Sequence, residues 1–432
     1  MNLFYFFFVF ISIAILSLSN ADDNTSPNSE LDNVKTELPL DEIRDFVEIF
    51  NKVKTDYVEA LNDSNLMEKA LRGLISELDP HSSFLSEEHY TDLRENTSGK
   101  FGGLGIEIGL KKDAIIVISP IDDTPAEKAG ILPGDIITKV DNSPVGGLGI
   151  ENAARRIKGP PGTKVSITLE RTGHSKALNF EIKRALIDNK SVTIKKLPPG
   201  YLYVRISQFQ TSTGNELATK LTKFSGANAD KLTGMILDLR NNPGGVLSGA
   251  VAVSDALLAK GLIVYTKGRH PTAELKYSAS KEVLIADIPI ITLINEGSAS
   301  ASEIVAGALQ DNGRAIVVGR PSFGKGSVQT VYPMGNKTAV KLTTAWYYTP
   351  SGRSIQATGI VPDIIIEKFN LVRSGQSKSV KEADLNRHLI NVSNNLEKHT
   401  EFSFPQLAKQ DFELYQAVKL LKTMVITTKQ KN

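Results

Sequence analysis

The sequence of 432 residues has no cysteine and only six histidines. The absence of cysteine excludes thiol nucleophiles, disulfide bonds and thiolate metal sites. No histidine lies in a Gly-x-Ser-x-Gly segment or shows the spacing of metal ligands, so the sequence predicts neither a histidine-based triad nor a metal site. An excess of one charge is also absent, because 50 Lys and Arg residues stand against 48 Asp and Glu residues. This balance gives no indication of a nucleic-acid partner.

Only the N-terminus is apolar over a long stretch. Residues 3–18 are nearly continuously apolar, and Ser19-Asn20-Ala21 follows as a small-x-small cleavage pattern. We therefore expect a signal peptide over residues 1–21 and export to the periplasm of a Gram-negative-type bacterium. No Lys or Arg precedes the apolar run. An uncleaved anchor in the inner membrane is the alternative, although a span needs ~20 apolar residues.

The rest of the chain is too long for one hydrophobic core, since single cores stop growing near about 250–300 residues. Residues 22–38 are rich in Asp, Asn, Ser and Thr and predict a disordered linker. Apolar residues at helical spacing predict an N-terminal helical region over 39–97, whose second helix ends near Pro80. Short strand-like runs between turn residues predict a compact α+β module over 98–186.

Two continuous apolar runs, residues 234–239 and 289–294, stand out in the segment 187–370. Such runs are typical of strands that are buried on both faces of a sheet. Each is followed by a glycine-containing turn and helix-like sequence, which predicts an α/β core. Residues 371–432 return to helical spacing with many lysines. These helices could mediate a homodimer, with a solvated surface helix as the alternative.

The motif Gly-Gly-Leu-Gly-Ile occurs at 102–106 and again at 146–150. The first copy leads into alternating, strand-like sequence and the second into helix-like sequence. Glycines in such a loop let successive backbone N–H groups approach an anion without a Cβ in the way. Together with the segment 125–137, the first copy resembles the PDZ domains, although a simple turn is the alternative. The resemblance implies that a peptide adds as an extra strand, with its carboxylate bound by Gly103, Leu104, Gly105 and Ile106.

Small residues crowd the end of the strand predicted over 289–294. The segment that follows contains Ser298, Ser300 and Ser302 before a helix-like run. A serine at this point would be exposed at the strand end, near the free N–H groups of a helix N-terminus. A serine-rich helix cap is the alternative.

A second segment, Phe-Gly-Lys-Gly-Ser-Val-Gln at 323–329, places Lys325 between two glycines. If that turn is buried, burial lowers the pKa of the lysine toward the range of a base. A neutral lysine can take the proton of a serine hydroxyl. Residues 319–325 also match the start of a P-loop, but Gly326 replaces the required Ser or Thr and Pro321 removes an N–H. No nucleotide or other cofactor is therefore predicted.

Taken together, residues 40–368 resemble the carboxy-terminal processing peptidases, also called tail-specific proteases. The resemblance implies a multidomain α/β protein with an N-terminal helical region, a PDZ module, a crotonase-like ββα serine protease core and a helical C-terminal tail. It also implies that Ser300 is the nucleophile, Lys325 the general base and Gln329 the residue that orients the lysine. The 25-residue interval from serine to lysine fits the family.

Gly244 and Gly245 follow one of the apolar runs. Their N–H groups, with that of Ala301, are predicted to form an oxyanion hole, and a simple chain reversal is the alternative. The predicted function is an exported serine endopeptidase that binds the C-terminal tails of polypeptides and cleaves near them through an acyl-enzyme. A regulatory adaptor protein is a further candidate partner. A catalytically inert PDZ scaffold is the alternative function.

Overall fold

The computed structural model describes residues 38–111, 114–147, 149–228, 232–280, 283–285, 288–367 and 404–431. The predicted signal peptide, nearly all of the predicted linker and the first part of the predicted C-terminal region lie outside the described residues. The chain divides into two units, residues 1–68 and 69–432. In the described ranges, no helix combines the length and hydropathy that crossing a membrane requires.

The helices of the described residues are α1 (Leu40–Asp56), α2 (Asp63–Ser76), α3 (Glu87–Ser98), α4 (Pro125–Lys128), α5 (Ile150–Ile157), α6 (Thr213–Asn228), α7 (Leu247–Leu257), α8 (Ala301–Asp311), α9 (Phe404–Gln410) and α10 (Phe412–Lys431). The strands are β1 (Ser83–Leu85), β2 (Lys100–Gly103), β3 (Ile106–Lys111), β4 (Ala114–Pro120), β5 (Ile136–Val140), β6 (Ser143–Pro144), β7 (Lys164–Glu170), β8 (Leu178–Lys183), β9 (Ala185–Asp188), β10 (Val192–Leu197), β11 (Tyr201–Ile206), β12 (Gly234–Asp238), β13 (Leu262–Gly268), β14 (Lys276–Ser278), β15 (Ile290–Ile294), β16 (Ala315–Gly319), β17 (Ser327–Pro333), β18 (Ala339–Tyr348) and β19 (Ile364–Ile365).

Helices α1 and α2 confirm the helical spacing of the N-terminal region. Within the first unit, α1 carries a stripe formed by Ile43, Phe46 and Val47, and none of its residues is buried. Helix α2 ends at Ser76, shortly before Pro80, as expected where proline disfavours helix in the preceding residue.

An antiparallel sheet in the order β3-β4-β5-β7-β8, with β6 on β5, forms the predicted PDZ module. Its apolar core includes Leu104, Ile137 and Ile167, and helix α5 packs near the edge strand β3. The second glycine motif caps α5, which begins at Ile150, so its interpretation as a turn and helix start is confirmed. A separate pair, β2 with β9, joins the two ends of the module.

The larger core sheet runs β10-β11-β12-β15-β16-β19, and every pair from β11 onward is parallel. Both continuous apolar runs are confirmed as fully buried strands, β12 and β15. Met235 and Leu237 of β12 join the apolar cluster that contains α7 and α8, whereas Ile236 joins the cluster that contains α10. Burial of both faces explains why the strand sequence does not alternate with polar residues.

The second core sheet contains β1, β18, β13 and β14, with β17 also paired to β18. Strand β1 lies inside the segment 39–97, where only helices were expected. It pairs with β18, from Ser83 opposite Lys341 to Leu85 opposite Ala339. This expectation was wrong at β1 because a three-residue strand is stabilised by a partner more than 250 residues away, and local periodicity carries no trace of that pairing.

Helix α10 packs on the larger core sheet through Leu414, Ala417, Val418 and Leu421, all of them buried. This apolar face of α10 is thus buried within the chain itself. The structure therefore gives no support to a homodimer through this face of α10. Residues 371–403, the rest of the predicted C-terminal region, lie outside the described residues. The domain boundaries themselves stay predictions.

Candidate active site

Ser300 lies between the end of β15 and the start of α8. Its backbone has φ 54° and ψ −112°, and the residue is 8% exposed. A positive φ at a residue other than glycine costs on the order of 1–3 kcal/mol and is found where surrounding contacts hold it. The hydroxyl of Tyr347 interacts with the Ser300 side chain, and burial raises the pKa of Tyr347 to about 12.

The hydroxyls of the two neighbouring serines are hydrogen-bonded to backbone carbonyls. The Ser298 hydroxyl donates to the carbonyl of Leu239 at 2.8 Å, and the Ser302 hydroxyl donates to the carbonyl of Asn242 at 2.9 Å. Both bonds fasten the start of α8 to the loop after β12. This geometry agrees with a structural role for Ser298 and Ser302 and distinguishes them from Ser300, whose side chain instead faces the Tyr347 hydroxyl.

Glu303 joins the serine segment to the lysine segment. Its Oε2 accepts the N–H of Ser300 at 2.6 Å and the N–H of Lys325 at 2.9 Å, while Oε1 accepts the Ser322 hydroxyl at 2.6 Å and the N–H of Gly324 at 2.7 Å. The residue is fully buried. Burial raises the pKa of the Glu303 carboxyl, and the four hydrogen bonds partly offset that rise.

Hydrogen bonds to backbone groups hold the turn around Lys325 in place. The N–H of Gly326 donates to Oε1 of Gln356 at 3.0 Å, and the N–H of Tyr347 donates to the Gly326 carbonyl at 2.7 Å. A Cβ at Gly326 would lie 2.5 Å from the backbone nitrogen of Gln356, so only glycine fits there. Backbone hydrogen bonds thus fix the chain at Lys325 and at the glycines on either side of it.

The Lys325 side chain is half-buried. Burial lowers the pKa of Lys325, the nearby Lys341 charge lowers it further, and Asp79 and Glu303 act in the opposite direction. Among the described residues, the Lys325 ammonium makes no hydrogen bond, so the structure does not join it to the Ser300 hydroxyl. Catalytic hydrogen bonds are often long before substrate binds, so this geometry does not exclude the pair.

Gln329 lies on β17 opposite Thr343 of β18. Its Nε2 donates to the Ser327 hydroxyl at 2.9 Å and to Oγ1 of Thr343 at 3.3 Å. The structure therefore does not place a Gln329 hydrogen bond on Lys325. The amide is instead fixed through its Nε2, and its Oε1 accepts no hydrogen bond from the described residues.

A turn before β1 completes the surroundings of the lysine. Asp79 accepts hydrogen bonds from the N–H groups of His81 and Ser82, the Ser82 hydroxyl and, at 3.2 Å, Oγ1 of Thr343. Although burial opposes it, these bonds lower the pKa of Asp79 to about 2. Burial and the charge of Lys325 lower the pKa of His81. In the described parts of the chain, no group of three or more His, Asp or Glu side chains is placed to hold a metal.

The predicted oxyanion donors differ in availability. The N–H of Gly244 donates to Oδ1 of Asn242 at 2.9 Å and is not free. The N–H groups of Gly245 and Ala301 donate to no acceptor among the described residues. A Cβ on Gly244 would lie 2.9 Å from Cβ of Ser300 and 3.0 Å from the Ala301 nitrogen, so the glycine loop touches the serine directly.

The predicted carboxylate loop of the PDZ module has two free donors. In the part of the chain that the structure describes, the N–H groups of Leu104 and Gly105 donate to no acceptor. The carbonyl of Leu104 accepts the N–H of Ala126, and the carbonyl of Gly105 accepts the N–H of Ile121. Gly105 has φ +78°, and a Cβ there would lie 2.4 Å from the Thr124 side chain. Gly103 ends β2 and Ile106 begins β3.

Sequence reasoning missed several residues of this site. Glu303 had a signal, because Ser-x-x-Glu before an apolar run is a capping-box pattern. Asp79 lies directly before the proline that was expected to end the second helix, and it had no assigned role. Thr343 and Tyr347 had no signal, since they reach the site only through the pairing of β17 with β18.

Comparison with known proteins identifies the family of this chain. Residues 200–366 match peptidase family S41, and residues 116–171 match the PDZ domain. The carboxy-terminal-processing protease of Bartonella bacilliformis is 44% identical over 380 residues, 87% of this chain and 87% of that protein. A probable CtpA-like serine protease of Staphylococcus aureus is 36% identical over 353 residues, 80% of this chain and 70% of that protein.

Among solved structures, a photosystem II D1 C-terminal processing protease is 29% identical, covers 74% of this chain and 92% of its own, and has a TM-score of 0.44. Both sequence relatives are named as proteases, not as peptide-binding scaffolds.

Proposed function

The chain belongs to peptidase family S41 and to its carboxy-terminal-processing proteases, serine proteases with a PDZ domain, and on this premise we propose that Ser300 is the nucleophile and Lys325 the general base. The observation that carries this assignment is the Glu303 carboxylate, whose Oε2 accepts the N–H groups of both residues. Two segments bound to one oxygen keep a fixed separation, as a nucleophile and its base require.

Substrate recognition begins at the PDZ module. The free N–H groups of Leu104 and Gly105 bind the terminal carboxylate of a polypeptide, and the tail adds as a strand to the edge of β3. The polypeptide then passes to the core, where a peptide bond near the C-terminus meets Ser300.

The chemistry follows from the state of Lys325. Its neutral amine takes the proton from the Ser300 hydroxyl as the oxygen attacks the peptide carbonyl. The N–H groups of Gly245 and Ala301 hold the oxyanion, a contribution for which one donor is typically worth ~10²–10³ in rate. The protonated lysine then gives its proton to the leaving amine. The same lysine then takes a proton from water as the water oxygen attacks the acyl group, and it returns that proton to the Ser300 oxygen as the acyl group leaves.

Lys325 must turn toward Ser300 during this cycle, and its lack of hydrogen bonds to the described residues leaves it free to do so. Gln329 orients it through Oε1, because its Nε2 is already fixed by Ser327 and Thr343. Hydrogen bonds fix the backbone at Gly326, so in this proposal only the Lys325 side chain moves.

The N-terminal residues support export of this protease. We propose that residues 1–21 are a signal peptide and that the mature protein works in the periplasm, with an uncleaved membrane anchor as the alternative. A regulatory adaptor protein remains a prediction from the family resemblance.

The test is cleavage by purified residues 22–432 of unfolded proteins with apolar C-termini, with the cut sites found by mass spectrometry. Ser300→Ala and Lys325→Ala should each abolish cleavage. Ser254→Ala is the control, since this buried hydroxyl of α7 has no hydrogen-bond partner among the described residues and its loss costs little. Full cleavage by Ser300→Ala would overturn the assignment.

A further inference from the structure

We propose that a cleft beside the proposed catalytic residues binds a carboxylate of the substrate polypeptide through Arg269, next to an apolar segment of the same chain. This inference rests on the proposed function and narrows its substrate class. It concerns a second site, separate from the carboxylate loop of the PDZ module.

The cleft has a volume of about 710 Å³, and two of its lining residues follow the glycine loop and the lysine segment closely in the chain. Leu247, one of its lining residues, comes two residues after Gly245 and begins α7. Val328, another, comes three residues after Lys325 on β17. A polypeptide whose carbonyl meets Ser300 would therefore extend into this space.

The floor of the cleft is apolar. It is formed by Leu247, Val328, Leu342 and Ala345. Hydroxyl groups also reach the cleft, but those of Thr330 and Thr344 are hydrogen-bonded to each other at 2.7 Å. With these hydroxyls paired, the floor favours apolar side chains, for which burial supplies the binding energy.

The rim of the cleft is positive. Arg269 and His270 line it, and no Asp or Glu is among its described lining residues. Arg269 is exposed and makes no hydrogen bond or ion pair to any described residue. The contrast with Arg240 and Arg320 is sharp, since acidic side chains hold both of those guanidinium groups.

His270 gives the rim a fixed shape. Its Nδ1 bonds to Oγ1 of Thr272 at 2.8 Å, at the start of the short 3₁₀ helix Pro271–Ala273. Arg269 is thus a free guanidinium on an ordered rim. A planar guanidinium matches a carboxylate through two parallel hydrogen bonds, which makes a carboxylate its natural partner.

The carboxylate has two sources in a polypeptide, an Asp or Glu side chain and the free C-terminus. Four fluorogenic peptides with the same apolar segment separate them. They carry either Glu or Gln on one side of the cleavable bond, and end in either a free carboxylate or an amide.

The experiment compares kcat/KM for the wild type, Arg269→Gln and Arg269→Lys. We expect Arg269→Gln to lower kcat/KM about tenfold on the peptides that carry the recognised carboxylate, and only a little on the peptides that lack it. Arg269→Lys should retain part of the activity on the carboxylate peptides. Lys276→Gln, which removes an exposed charge on β14 outside the cleft, serves as the control. An amidated C-terminus also weakens binding to the PDZ module, but equally for the variant and the wild type. This effect therefore cancels when kcat/KM of the variant is divided by that of the wild type.

An equal loss on all four peptides, or no loss on any, overturns the inference. Binding of the same peptides to Ser300→Ala, with and without Arg269→Gln, separates it from the proposed function. If Arg269-dependent binding of the carboxylate persists while Ser300→Ala still cleaves, the dyad assignment fails and the site stands. If Ser300→Ala is inactive and Arg269→Gln changes neither binding nor cleavage, the dyad stands and the site fails.

Discussion

The backbone N–H groups of Ser300 and Lys325 donate to the same oxygen, Oε2 of Glu303, at 2.6 and 2.9 Å. The two residues belong to different segments, one at the start of α8 and one in the turn before β17. One buried carboxylate therefore sets how far apart their backbones lie, whatever the lysine side chain does.

Glu303→Gln should lower kcat by about 10² because an amide NH2 replaces one acceptor oxygen and faces N–H donors, which shifts the serine or the lysine segment. The unpaired buried donors should also reduce the free energy of unfolding by about 1–3 kcal/mol. Steady-state kinetics and urea denaturation measure the two effects.

Glu216→Gln is the matched control for this change. Glu216 is likewise a carboxylate with several donors, including the N–H of Ser191 at 3.0 Å and Nζ of Lys220 at 2.7 Å, but it lies away from the site on α6. The Glu216→Gln variant should have a lower free energy of unfolding and an unchanged kcat. Equal kcat values for the two variants would contradict the role given to Glu303.

Lys341→Met should shift activity to higher pH. In the proposed mechanism cleavage requires neutral Lys325, so activity should rise as pH rises through the pKa of that lysine. The Lys341 cation lowers this pKa, and its removal therefore raises it. The pH profile of kcat/KM and the pH dependence of Ser300 labelling by a fluorophosphonate both report the shift. Lys337→Met, which removes an exposed lysine paired with Glu87, should leave the profile in place.

Asp79→Asn should shift the same profile in the opposite direction. The Asp79 charge raises the pKa of Lys325, so its loss lowers that pKa and moves activity to lower pH. A shift in the same direction as that of Lys341→Met would contradict the electrostatic account of the lysine.

Asp79 also contributes to stability in a defined pH window. Its pKa in the folded protein is about 2, against an ordinary value of 3.8. A lowered pKa stabilises the fold above the unfolded value, and the contribution is lost as pH falls from about 4 to about 2. Asp79→Asn should therefore reduce the free energy of unfolding more at pH 7 than near pH 2. Urea midpoints across this range provide the measurement.

Gly105→Ala should weaken binding of peptides with a free C-terminus at least about tenfold, because the new Cβ would lie 2.4 Å from the Thr124 side chain and displace the loop. Gly149 occupies the same place in the second glycine motif, with φ +74° and nothing within 4 Å of a Cβ. Gly149→Ala carries similar backbone strain without the collision. Fluorescence polarisation should show intact binding for Gly149→Ala, and equal losses would show that strain alone is responsible.

Local sequence was sufficient for most elements of the fold. Turn residues and alternation indicated the strands of the PDZ module, and helix α5 runs from Ile150 to Ile157 as its spacing suggested. Continuous apolar runs indicated β12 and β15, since burial on both faces leaves a direct mark on the sequence. Strand β1 left no such mark, because its strand partner β18 lies more than 250 residues further along the chain.

The site divides in the same way. Ser300 and Lys325 lie in short motifs whose residues act together, so sequence could single them out. The availability of each N–H could not be read in advance. Gly244 and Gly245 look equivalent as neighbours, yet the Asn242 side chain takes the N–H of Gly244 alone. Which donors remain free depends on side-chain geometry that no motif encodes.

The pairing of β2 with β9 sets Lys100 opposite Asp188 and Gly103 opposite Ala185. The PDZ module thus leaves the core and returns to it on neighbouring strands, the arrangement under which inserted domains are tolerated. The whole PDZ module could therefore be replaced during evolution without changing the register of either core sheet. Substrate preference and cleavage chemistry can therefore evolve independently within one polypeptide.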